Sequence, residues 1–99
     1  MAIRSIGTIP FLVKAIGSHE VRYNEAVTHL IMKRETLALI RKYRQPTSGI
    51  YLWRYSFSIQ GLASTFMGIP IIETYYGEKN AIAICSLSGV RNIFHLWTE

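Results

Sequence analysis

The apolar period of this chain changes at Pro46, and that change restricts the folds open to it. Ahead of the proline, in "RETLALIRKYR", Leu37, Ile40 and the ring of Tyr43 recur at three-residue intervals, which places them on one helical face. Behind it, in "GIYLWRYSFSIQG", Tyr51, Trp53, Tyr55, Phe57 and Ile59 stand at every second position, the period of a strand. Pro46 excludes Gln45 from helical geometry, so the helix must end before it. Both periods within thirty residues or so call for a helix packed on a sheet.

The spacing predicts a helix from about Glu35 to Arg44 that buries Leu37 and Ile40. Glu35 in its first turn and the cations in its last suit the macrodipole, whereas Lys33 is a poor N-cap. "AVTHLIM", 26 to 32, reads as a strand buried on both sides. "STFMGIPIIET" reads as two short strands parted by a glycine, and Pro70 places its strand at an edge or at a strand start. "YGEKN" reads as a turn, "AIAIC" as a strand, "SLSGVRN" as a loop and "IFHLW" as a last strand. The sheet is expected to include 69 to 73, 81 to 85 and 93 to 97. The expected fold is α+β, a small, mostly antiparallel sheet of five or six strands with one main helix. Residues 1 to 20, with Gly7, Pro10 and Gly17 and no sustained period, read as an N-terminal arm before a single α+β domain at 21 to 99.

Ninety-nine residues hold one core, and at that size about 65% of the unfolded chain's surface can be buried. The chain is 49% hydrophobic and 17% charged, which excludes a disordered chain and implies that a partner covers part of the apolar surface. Its longest uncharged run, 55 to 72, is too polar and too broken for a membrane span, and the first residues are expected to be neither signal peptide nor anchor. Cys85 is the single cysteine, so an internal disulfide is impossible and a buried, inert thiol is expected.

Little in the sequence suggests catalysis. His19, His29 and His95 stand at no metal-ligand spacing, Asp is absent, and the six Glu are scattered. No enzyme activity, cofactor, metal or small-molecule substrate is expected. Eleven Lys and Arg against six Glu give a net charge of +5. Five of the cations, Lys33, Arg34, Arg41, Lys42 and Arg44, fall within twelve residues. They form either a solvated helix face or a polyanion contact, for which weak, salt-sensitive and sequence-independent nucleic-acid binding spread over all five is the expectation. The aromatic row reads as a sheet core, a subunit contact or, as the alternative, a platform for single-stranded bases.

The order of these segments resembles the C-terminal part of the major capsid proteins of tailed bacteriophages, whose shell fold is shared with encapsulins. The matching residues are Leu30, Ile31 and Met32, then Thr36, Leu37, Ile40 and Arg41, then Gly49, Tyr51, Leu52 and Trp53, then Gly68 to Ile72 and Thr74. The resemblance spans about 27 to 97. Lys33 and Arg34 replace the family's usual cap and proline, and Ser86, Leu87 and Ser88 replace an acidic turn. The resemblance implies an axial-lobe fold whose tip, Pro46 to about Gln60, meets neighbouring subunits. The implied subunit-interface residues are Tyr51, Trp53, Arg54, Tyr55 and Phe57. It further implies a virion structural protein that self-assembles or docks on a shell, located in the virion and in host cytoplasm during assembly. A small basic nucleic-acid-binding module, or a phage-encoded interaction or inhibitor protein, stands as the alternative.

Overall fold

In the computed structural model, which describes residues 3–46, 48–58 and 61–97, the two periods that meet at Pro46 form a helix and a strand. The elements run β1 (Ile3–Gly7), α1 (Ile9–Tyr23), β2 (His29–Lys33), α2 (Arg34–Lys42), β3 (Trp53–Ser58), β4 (Gly61–Phe66), β5 (Ile69–Thr74), β6 (Ala81–Ser86) and β7 (Gly89–Leu96). The strands form one sheet in the order β1-β7-β6-β2-β5-β4-β3. The fold is α+β, but the sheet is mixed rather than mostly antiparallel, because β1 pairs with β7 and β2 with β5 in parallel. Each parallel pair follows from a crossover: the chain leaves β2 through α2, makes the β3–β4 hairpin and returns beside β2 in the same direction.

Cross-strand register sorts the side chains into two faces. Met32 stands opposite Ile82 and Ile82 opposite Phe94, while Leu30 stands opposite Ile84. All five are buried, each contributing roughly 1.5 to 3 kcal/mol of transfer free energy. Leu12 and Ile16 of α1 and Leu37 and Ile40 of α2 join the same cluster, so both helices lie on this face. The other face carries the row Ile72, Ile31, Ala83 and Ile93, left half-buried or exposed. The expected two-sided burial of 26 to 32 therefore holds for one face alone: Leu30 and Met32 are buried, whereas His29, Ile31 and Lys33 are half-buried.

The largest departure from expectation lies at the N-terminus, where a further helix, α1, joins the expected one. The stretch read as an arm holds β1 and most of α1, and Leu12 and Ile16 sit in the core shared with the rest of the chain. Pro10, which looked like an interruption, stands in the first helical turn, where a missing N–H is no loss. Leu12, Ile16 and His19 are then spaced by four and three residues along the buried face. Asn24, in the left-handed region at φ 51°, ends the helix.

The second helix follows its sequence more closely. It buries Thr36, Leu37 and Ile40, carries Glu35 in its first turn and Arg41 and Lys42 in its last, and has Lys33 at a cap position with no side-chain bond. It ends at Lys42, so Arg44 lies outside it and bridges to Tyr51 instead. Pro70 is the second residue of β5, just ahead of the ladder with β2 that begins at Ile71. Its strand lies inside the sheet, so of the two readings the strand start applies. Between β4 and β5 both Met67 and Gly68 have positive φ, 54° and 80°, the twist a two-residue hairpin demands and the reason a glycine stands there. The expected loop "SLSGVRN" shrinks to the turn at Leu87 and Ser88, because β7 already begins at Gly89.

Candidate functional site

The β3–β4 hairpin carries the helix-side face of the sheet beyond the reach of the helices. Phe66, which pairs with Trp53, is fully buried, and Trp53 packs half-buried against the core. Two residues further on the same face, Tyr55 is 54% exposed; two further again, Phe57 is 88% exposed and its partner Leu62 54%. The alternation thus has two roles along one strand, core at its root and exposed apolar surface at its far end. The opposite face of the hairpin is polar and internally bonded. Thr65 Oγ1 donates to the Arg54 carbonyl at 3.0 Å and shares a 3.4 Å contact with Ser56 Oγ. β3 is also an edge of the sheet. Ile59, the last member of the alternation, lies outside the described residues.

At the root of the hairpin, the last turn of α2 and the segment before β3 enclose an open groove of about 830 Å³. Ala38, Arg41, Lys42, Ile50, Tyr51 and Trp53 line it, together with Gly49 and Arg54. The loop that shapes it is closed by Gly49 N–H donating to the Gln45 carbonyl at 2.7 Å and Gln45 N–H to the Ile50 carbonyl at 2.9 Å. The guanidinium carbon of Arg41 lies 4.6 Å from the Trp53 ring centroid, and that of Arg44 4.7 Å from the Tyr51 centroid. Such stacking is worth about 0.5 to 1 kcal/mol at exposed sites and leaves the guanidinium edges free to donate.

The structure therefore joins the two candidate groups that the sequence presents separately. Arg41, Lys42, Arg44 and Arg54 stand with Tyr51 and Trp53, while Tyr55 and Phe57 lie further along the hairpin. Lys33 and Arg34 do not join them: they sit at the other end of a nine-residue helix, about 12 Å away along its axis. Leu62 and Ile50 are exposed apolar members of this surface that sequence reasoning missed. The register of the β3–β4 pairing is the signal that would have placed Leu62 opposite Phe57.

A second polar corner lies where α1 meets the β6–β7 turn. Glu25 Oε1 accepts a hydrogen bond from Ser88 Oγ at 2.8 Å and faces Arg91 Nη2 at 3.5 Å. The hydroxyls of Ser86 and Ser88, and then the charge of Arg91, hold the Glu25 carboxyl below its usual range. On the open sheet face Glu78 bridges Arg4 at 3.4 Å and His95 at 3.6 Å. Cys85 is buried, and burial pushes its thiol up, which suits an unreactive side chain. Among the described residues no group of three potential ligands is placed to hold a metal, and no helix is long and apolar enough to cross a membrane.

A family model described as "Phage capsid family" matches residues 5–90. The match takes in α1, ahead of the stretch on which the sequence resemblance rests. No curated protein and no solved structure matches the chain.

Proposed function

The chain belongs to the phage capsid family, and from that premise we propose that it builds a particle by packing its β3–β4 hairpin on neighbouring capsid subunits. The family is structural rather than enzymatic, and membership implies a place in the virion. The observation that carries the proposal is the apolar face of Tyr55, Phe57 and Leu62, continuous with the core yet uncovered within one chain. A neighbour that covers it completes a core already half built, and aromatic side chains dominate such contacts energetically. The resemblance to an axial lobe supports the same geometry: copies arranged about a rotation axis meet through unlike surfaces, and the ring closes. On this reading, assembly takes place in host cytoplasm.

Light scattering against protein concentration tests this reading with Phe57→Ala and Leu62→Ala, alongside their unfolding midpoints. Loss of assembly with midpoints close to wild type supports it. Unchanged assembly, or assembly lost only together with the fold, rejects the hairpin as the contact.

A further inference from the structure

We propose that the groove between α2 and β3 binds single-stranded nucleic acid, its phosphates on Arg41, Lys42 and Arg44 and a base against Tyr51 and Ile50. Charge is the first reason. Among the described residues none of Arg41, Lys42, Arg44 and Arg54 pairs with a carboxylate, since the ion pairs use Arg4, Arg91 and His95. Among the described residues no carboxylate lines the groove either. Three unpaired cations lining one concavity, with Arg44 over its Tyr51, create a positive field that no carboxylate among the described residues offsets locally.

The same charge argues against a second copy as the occupant. A second copy would have to present an acidic patch to meet these cations. Glu25 and Glu78 are already engaged within the chain, and the exposed Glu20, Glu35 and Glu73 lie on three different elements rather than in an acidic strip. The occupant is therefore a foreign chain with regularly spaced negative charge.

Ring placement then selects a nucleic acid strand over an acidic peptide. Tyr51 and Ile50 are exposed in the groove, and the guanidinium groups of Arg41 and Arg44 sit over the rings of Trp53 and Tyr51, which holds these cations in place before any ligand arrives. Pre-set donor edges beside an exposed aromatic ring suit a phosphate with its attached base, the combination that single-strand binders use. Binding should be sequence-independent, because every base has a face to stack.

Fluorescence anisotropy of a labelled oligothymidylate about 20 nucleotides long, titrated with the full chain from about 50 mM salt upward, tests the site. Affinity should fall with salt, and Arg41→Gln and Arg44→Gln should each reduce the log–log slope by roughly 0.7. Tyr51→Ala should weaken binding about tenfold or more. Lys14→Gln on α1 and Phe57→Ala on the hairpin should leave it unchanged, the latter separating this site from the assembly surface. Should Arg41→Gln lower the unfolding midpoint, Arg44→Gln together with Lys42→Gln provides the same reading. Absence of binding at low salt, equal losses from Lys14→Gln and Arg44→Gln, tighter binding of duplex than of single strand, or equal binding of an oligoglutamate peptide would each overturn the proposal.

Discussion

Arg41 holds its guanidinium 4.6 Å from the centroid of the Trp53 ring, so the last turn of α2 and the first residue of β3 are clamped across the loop that carries Pro46. Trp53 also lies against the core and meets Tyr55 edge-on at 4.7 Å between centroids. The aromatic row is consequently not uniform. Trp53→Ala should cost about 1 to 3 kcal/mol, below the range for a fully buried tryptophan because this one is only partly buried. Phe57→Ala should change stability by less than about 0.5 kcal/mol. Urea unfolding of the two variants decides the matter, and equal losses would mean that the hairpin is ordinary core throughout.

Leu12 and Leu37 belong to different helices but one cluster. Replacing either with alanine should cost about 2 to 5 kcal/mol, the range for a buried leucine. Val21→Ala, on the exposed side of α1, should fall within about 0.5 kcal/mol. If Leu12→Ala behaved like Val21→Ala, the first twenty residues would be an accessory arm rather than part of the fold.

What the sequence revealed, and what it hid, follows from how locally each element is specified. α2 was legible because its apolar interval, its charge polarity and Pro46 all act within twelve residues. β6 and the turn at Gly68 were legible for similar reasons. The first helix was not: its start has no side-chain cap, its Pro10 looks like a breaker until the helix register is known, and Gly17 interrupts the pattern. Its stability comes in part from packing on β7, a contact between chain ends that no window of sequence contains. Parallel pairing was hidden for the same reason, since strand direction is fixed by crossovers rather than by residue type. The aromatic row and the basic cluster were each visible, but their meeting in one groove depends on the loop between them and was not.

His19 is buried, touches the Tyr23 ring edge-on at 5.0 Å between centroids, and has neither ring nitrogen hydrogen-bonded. A buried polar atom without a partner retains its desolvation cost, whereas an apolar side chain of similar size does not. His19→Leu should leave the thermal midpoint unchanged or raise it, while His19→Ala, which opens a cavity, should lower it. A large loss in His19→Leu would reveal a hydrogen bond that the ring makes in solution.

Glu25 ties α1's exit to the β6–β7 turn, and its pH dependence has a definite sign. Ser86 and Ser88 donate to the carboxylate and Arg91 attracts it, so its folded value lies below the ordinary 4.5, with His19 also facing it. Between that lowered value and 4.5 the unfolded chain binds more protons than the folded one, so stability falls as the pH drops. The contribution of Glu25 is therefore complete above about pH 5 and disappears as the pH falls through the folded value. Glu25→Gln keeps an oxygen to accept the Ser88 hydroxyl but loses the charge opposite Arg91. It should be less stable than wild type at neutral pH, and the two should converge in acid. Thermal midpoints measured from about pH 7 down into the acid range below the ordinary carboxyl value test this. Parallel curves for the two proteins would mean that the carboxylate gains nothing from the turn in the folded state.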